Sequence, residues 1–184
     1  MKNTIDIRYK GENLQKRLSN LYPYEFTFEG IHYGSIESFF GTLRTSSLLA
    51  KQKIYNLSGM DSWYEGHKYM TWYNTQTVDY KGKTINRHSV EYDNLITSVY
   101  DALFTNEDFK KALLETDRCK LSHKIGKTDK HKTLLTQKEF IGHLNRLRDK
   151  LYERKYFNLL DLFENLEQLW SNLLQKQKIP NNHI

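Results

Sequence analysis

RLSNLYPYEFTFEGIHYGSIESFFGTLR, residues 17–44, is the stretch whose reading decides the fold. It opens with a polar Ser19-Asn20 corner and a Tyr22-Pro23 turn. An alternating run, Phe26-Thr27-Phe28, is followed by Glu29-Gly30 and then Ile31-His32-Tyr33. Alternation closed by a glycine-containing turn predicts two short paired strands. Ser35 is placed as a helix N-cap, and Ile36 opens a helical pattern. At about 100° per residue, Ile36, Phe39, Phe40 and Leu43 share one apolar face, with Glu37, Gly41, Arg44 and Leu48 on the stripe at its margin. A carboxylate and a guanidinium therefore stand two turns apart, roughly 10 Å, with Gly41 between them as a floor on which a ligand could lie. A purely structural reason also accounts for Glu37, since an acid in the first turn favours the helix macrodipole.

Working outward, residues Ile5 to Tyr9 alternate and predict a first strand. After the Glu37 helix, a second helix runs from Leu48 to Leu57 and stops at Ser58-Gly59. A third, Asp61 to Tyr73, carries Trp63, Tyr64, Tyr69 and Trp72. Thr75–Tyr80 and Lys83–Arg87 flank a Lys81-Gly82 turn and read as a second hairpin, either a lid or gripping arm beside a site or a surface decoration. Helices follow over Ser89–Phe104, from the Asn106 cap to Thr116, and over Phe140–Leu151. The fold class is thus α+β, a mostly helical single domain with small strands and hairpins plus an extra C-terminal helix. In that last helix Leu159, Leu162, Leu166, Leu169 and Leu173 alternate three and four apart, a heptad-like seam with Phe163 and Trp170 beside it. Such a face either docks on the chain's own core or makes a dimer contact through residues 156–178.

With 184 residues, 38% hydrophobic and 27% charged, the chain has the composition of one globular domain rather than a disordered segment. The single cysteine, Cys119, excludes an intrachain disulfide and fits a reducing compartment. No apolar run reaches the length of a membrane span and no signal peptide is visible, so a cytoplasmic protein is expected. A net charge of +6 and a pI near 9.2 favour a polyanionic partner. Aromatic residues make up 14%, which suits base stacking as well as an ordinary core.

Residues Arg118 to Lys132, RCKLSHKIGKTDKHK, form a basic polar loop. It is either solvated surface or, beside an anion site, a holder of pyrophosphate or nucleic-acid backbone, with Lys127 as the candidate contact. Gly126-Lys127-Thr128 lacks the earlier glycine of a P-loop, because position 121 is Leu121, and an NTPase is excluded. Cys119, His123 and His131 match no standard zinc spacing.

The pattern Leu18-Ser19-Asn20-Leu21, Gly30, Tyr33, Ser35, Glu37, Phe40 and Arg44 resembles the opening signature of the NADAR (YbiA-like) N-glycosidase family. NEDFKKALLET resembles the family's second half, and FIGHLNRLRDKL, through Gly142, Leu144, Arg148 and Leu151, its closing helix. The resemblance covers about residues 5 to 152. It implies a NADAR-like domain over 1–152, with an inserted hairpin at about 74–88, and a C-terminal helical extension over 153–184. Where the family has a lysine this chain has Arg44, which keeps the charge and adds a phosphate-matching fork. The resemblance further implies Glu37 and Asp129 as catalytic residues, and contacts to substrate from Arg8, Tyr9, Ser19, Asn20 and Arg44. Tyr9, Tyr33 and Phe40 are candidates for stacking on a base or sugar. The family's Trp-Gly pair after the Asp is absent, and a tryptophan before the central helix is replaced around His88–Tyr92. Both departures fall on the base-stacking wall.

The expected activity is hydrolysis of an N-glycosidic bond of ADP-ribosylated guanine, removing ADP-ribose from DNA or a nucleotide and reversing a toxin or defence modification. No metal or cofactor is required. The alternatives are small ribosylamino-pyrimidine phosphates as substrate, or a non-catalytic module that binds ADP-ribose or nucleic acid.

Overall fold

The computed structural model describes residues 4–177, and the chain divides into two compact units, Met1–Arg148 and Asp149–Ile184. In the first unit, β1 (Thr4–Asp6) is followed by the short α1 (Asn13–Arg17). β2 (Phe26–Phe28) and β3 (Ile31–Tyr33) then form the hairpin predicted from sequence, pairing Phe26 with Tyr33 and Phe28 with Ile31. Its two turn residues, Glu29 at φ 46° and Gly30 at φ 80°, are both left-handed, the geometry that matches strand twist in a two-residue hairpin.

α2 (Ile36–Leu43) begins at Ser35, whose side chain accepts from Ser38 N at 3.2 Å while Ser38 Oγ accepts from Ser35 N at 3.2 Å. These reciprocal bonds satisfy two otherwise orphaned backbone donors. Every residue of α2 is buried, so it is the central helix of the unit. Around it lie α3 (Leu48–Ile54), α4 (Gly59–His67) and α5 (Thr71–Thr75). The single helix read over Asp61–Tyr73 is therefore two. The break lets Trp72, 4% exposed, bury separately from α4. α3 also stops earlier than its sequence pattern, because Gly34 N takes the Tyr55 carbonyl at 2.8 Å.

The second hairpin, β4 (Thr77–Tyr80) and β5 (Lys83–Asn86), turns at left-handed Lys81 and Gly82. It is held to the rest of the unit along its length. Val78 and Ile85 are buried, Tyr80 stacks on Phe28 at 6.0 Å, and Tyr80 Oη donates to Glu29 Oε2 at 2.8 Å. Lys51 of α3 pairs with the Asp79 carboxylate and donates to Asp79 O at 3.0 Å. The hairpin is anchored through Val78, Tyr80 and Ile85 while its turn and most of β5 are exposed, and none of its residues lines the cavity beside α2.

α6 (Val90–Leu103) and α7 (Glu107–Glu115) start at Ser89 and Asn106, each side chain accepting from the first turn of its helix. β6 (Lys120–Ser122) then pairs in parallel with β1, joining segments more than a hundred residues apart. Asp6 Oδ1 accepts from Ser122 Oγ at 3.0 Å and Lys124 N at 2.9 Å, and the Lys124 amide in particular holds its carboxyl below the usual range. After a 3-10 turn (Lys130–Lys132), α8 (Gln137–Gln177) runs for 41 residues. Sequence reading separated a closing helix from a C-terminal one. Backbone geometry joins them, since no glycine or proline follows Gly142 before Gln177 to stop the helix.

In the second unit the apolar residues from Tyr156 to Trp170 are exposed. Residues 178–184, the end of the predicted extension, lie outside the described residues.

Candidate active site

A cavity of about 430 Å³ opens in the first unit beside the N-terminal half of α2. The Ser19-Asn20-Leu21 corner forms one side, Glu37, Phe40 and Arg44 the floor, and Trp63, His67, Met70 and Trp72 a wall. The loop segments 123–127 and 132–135, with Phe140 from α8, complete it. The corner is tied directly to the helix. Glu37 N donates to Asn20 O at 3.0 Å, and Asn20 Oδ1 accepts from Tyr100 Oη at 2.8 Å.

Glu37 and Arg44 dominate the electrostatics. Their side chains curl toward each other across two turns, and Arg44 Nη1 lies 3.3 Å from Glu37 Oε1 with both residues below 10% exposed. Burial pushes the Glu37 carboxyl above the usual carboxylate range, and the Arg44 guanidinium pulls it part of the way back. Gly41 is not the ligand floor read from the helical stripe. A Cβ there would come 2.9 Å from Ile54 Cγ2 and 3.4 Å from Gly66 Cα, so the space above it is filled by α3 and α4. The reciprocal contact is tighter: a Cβ on Gly66 would stand 2.7 Å from Gly41 Cα and 2.9 Å from Arg44 Nη1. Two glycines facing each other bring the helices close enough for α4 to touch the ion pair.

That contact is His67. Its ring stacks on Trp63 at 4.0 Å, and its Nδ1 lies 3.2 Å from Arg44 Nη1 and 2.8 Å from Trp63 O. Burial, followed by the Arg44 charge, lowers the imidazole pKa to about 4, so the ring is neutral at pH 7. Guanidinium has no acceptor, so Nδ1 either accepts from Arg44 or donates to Trp63 O. The choice fixes whether Nε2 is a donor or an acceptor. Among the described residues, Arg44 Nε and Trp72 Nε1 are buried donors with no protein acceptor.

The loops on the far side are held by a second buried ion pair. Arg87, fully buried, gives two bonds to Glu139 (3.3 and 2.7 Å) and one to Thr133 O at 3.0 Å, and its guanidinium lies over the Tyr92 ring at 4.6 Å. Glu139 also accepts from Thr136 N at 2.7 Å; burial opposes its ionisation, yet the Arg87 and Thr136 bonds together lower its pKa to about 2. This node fixes Thr133, Leu134 and Leu135 against the cavity. Gln137 N donates to Lys127 O at 2.8 Å, which fixes the other loop.

Of the residues singled out from sequence, the cavity gathers Ser19, Asn20, Glu37, Phe40, Arg44 and Lys127. Others lie elsewhere. Arg8 is exposed and reaches Gln15, and Tyr9 stands by Gly59 and under Lys16. Tyr33 is 1% exposed and stacks on Phe26 at 5.4 Å in the core. Asp129 caps the 3-10 turn, its Oδ1 accepting from His131 N at 2.9 Å, and is not among the cavity residues. Lys132, part of the basic loop read from sequence as an anion holder, also lines the cavity, whereas sequence reasoning missed Trp63, His67 and Trp72. The available signal was Trp63 and His67 four apart on one helix, flanking the glycine that faces α2. Among the described residues no group of three or more His, Cys, Asp or Glu side chains is placed to hold a metal ion.

The family described as Bacteriophage protein GP30.3 matches residues 13–149. The chain is 32% identical over 136 residues to an uncharacterized 17.1 kDa protein of the Gp30-rIII intergenic region of Enterobacteria phage T4, covering 73% of this chain and 90% of that protein. Its fold is similar to the NMR structure of the E. coli protein YbiA, with a TM-score of 0.54 and 17% identity over 85% of this chain and 89% of that one. The fold implied by the NADAR (YbiA-like) resemblance is therefore the fold observed.

Proposed function

We propose, from the premise that the chain belongs to the Bacteriophage protein GP30.3 family and has a YbiA-like fold, that it is an N-glycosidase. Its substrate on this reading is ADP-ribosylated guanine in DNA, and it acts in the cytoplasm to reverse a toxin or defence modification. The observation that carries the proposal is the buried Glu37 carboxyl in the floor of a cavity whose other charged side chains, Arg44, Lys127 and Lys132, are all cationic.

Cleavage of the bond between the anomeric carbon and the guanine nitrogen builds positive charge on the sugar. A fixed carboxylate beside that carbon stabilises the charge, as carboxylates do in glycoside hydrolases. The water oxygen bonds to the anomeric carbon, the carbon–nitrogen bond breaks with its electron pair going to nitrogen, and one water proton passes to Glu37 and from there, directly or through solvent, to the departing nitrogen. A carboxyl whose pKa is raised by burial is the stronger base for that transfer. Arg44, Lys127 and Lys132 supply charge-assisted bonds to the pyrophosphate. Trp63 and Trp72 offer the stacking surface that the missing Trp-Gly pair would have given.

The test is incubation with single-stranded DNA carrying ADP-ribosyl guanine, following ADP-ribose release, with a ribosylamino-pyrimidine phosphate in a parallel reaction. Release from the DNA is expected. Cleavage of the pyrimidine alone would reassign the substrate, and tight binding of modified DNA without release would make the protein a binding module.

A further inference from the structure

We infer that the second unit is a self-association element, pairing with a second copy of this chain as a two-helix antiparallel coiled coil. Residues 158–171 read NLLDLFE-NLEQLWS, two successive heptads of one pattern. Leu159 and Leu166 take the a positions, Leu162 and Leu169 the d positions, and Phe163 and Trp170 the e positions, with Tyr156 one heptad earlier at e. The backbone is helical throughout. The four leucines are 47–60% exposed and the three aromatics 57–66%.

Three observations point to a second copy rather than another occupant. The first is charge. From Tyr156 to Trp170 there is no lysine or arginine, and the acids Asp161, Glu164 and Glu167 fall at c, f and b, outside the seam. An interfacial lipid-binding helix carries cations on its polar face, and so does a nucleic-acid contact; between Tyr156 and Trp170 this helix has the opposite sign, its nearest cations, Lys155 and Lys176, lying outside the seam's four leucines. The second is area. Seven large side chains about half exposed amount to roughly 700 Å² of apolar surface, above the usual patch on a monomer and close to one side of a standard interface.

The third is the flanks. In an antiparallel pair centred near Phe163, Leu159 packs against Leu169 of the second copy and Leu162 against Leu166. Phe163 then meets its own equivalent on the two-fold axis, and Tyr156 meets Trp170 at both ends. The aromatics all gather on one flank, and Asn165 meets Asn165 on the other. A parallel pair would instead set each e aromatic against a g asparagine, as with Trp170 and Asn165, leaving an amide against an apolar ring.

The experiment uses the full chain. Light-scattering mass across a concentration series should give two chains per particle, and Leu162→Asn with Leu166→Asn should give one without changing the fold of the first unit by near-UV dichroism. With Cys119→Ser as background, Phe163→Cys should oxidise to a disulfide-linked dimer, and Leu159→Cys should not, because the 159 positions lie about ten residues, roughly 15 Å, apart along the axis. A single-chain mass at every concentration, a mass above two chains, cross-linking through 159 instead of 163, or co-sedimentation of single chains with phosphatidylserine vesicles would each overturn the inference.

Discussion

Replacing Glu37 with Gln separates the chemical step from binding and from folding, and the structure sets a magnitude for each. The side chain keeps its size and its acceptor for Arg44 Nη1, but loses its charge. A carboxylate about 4 Å from a developing sugar cation contributes about 4 kcal/mol at an effective dielectric near 20. Arg44, 3.3 Å from Oε1, opposes that field. A net loss of about 3 kcal/mol corresponds to on the order of 10²-fold in the single-turnover rate. Affinity for uncleaved substrate should hold or improve, since a negative charge leaves a cationic cavity.

Stability is the less obvious part. A first-turn acid is worth only about 0.3–1 kcal/mol through the macrodipole. Glu37, however, is 8% exposed and partners a 9% exposed arginine, so the variant strands a buried guanidinium. Removing one member of a buried pair costs about 3–5 kcal/mol, and the retained acceptor moves the expectation to the low end. The rate must therefore be measured where dichroism shows the variant folded. The double variant Glu37→Gln with Arg44→Gln should recover part of the stability and none of the rate. Cleavage by Glu37→Gln at the wild-type rate would refute the mechanism, and an unchanged melting temperature would refute the view that the pair is buried and coupled.

Gly66→Ala should lower stability by about 1–3 kcal/mol and reduce turnover together, because the added methyl must push α4 off Gly41 and Arg44; an unchanged melting temperature would count against the close helix contact. Lys127→Glu with Lys132→Glu should weaken binding of modified DNA and flatten its dependence on salt, whereas an unaltered slope in titrations at several ionic strengths would remove both lysines from the anion contact. Acid should destabilise the fold in two stages. His67 and His143, both near 4 when folded and 6.5 when free, leave the unfolded chain binding more protons as pH falls from 6.5 through 4, so stability declines there. Glu139, near 2 when folded, contributes stability above 4.5 that is lost as pH falls toward 2. Denaturant melts flat between pH 7 and 4 would contradict the half-buried neutral histidines.

What sequence alone determined about this protein is local. The Glu29-Gly30 and Lys81-Gly82 turns, the Ser35 and Asn106 caps and the apolar face of α2 all depend on chemistry within a few residues, and all stand as read. Glu37 was visible as a candidate because a carboxylate at the margin of an apolar helical face is unusual within that short range. The tertiary structure decided the rest. Gly41 looked like a ligand floor from its own helix, but a helix cannot specify what packs on its bare positions, and Gly66 of α4 fills that space. Asp129 and Arg8 have the right charges in sequence, and backbone turns aim them at His131 and Gln15 instead. Trp63 and His67 share a helix face in sequence, but they and Trp72 become the cavity's wall only because two glycines let α4 approach α2 and a break before α5 buries the second tryptophan. The cavity is assembled from segments more than a hundred residues apart, and its shape is set by side-chain volume at their crossings, which no single stretch of the chain encodes.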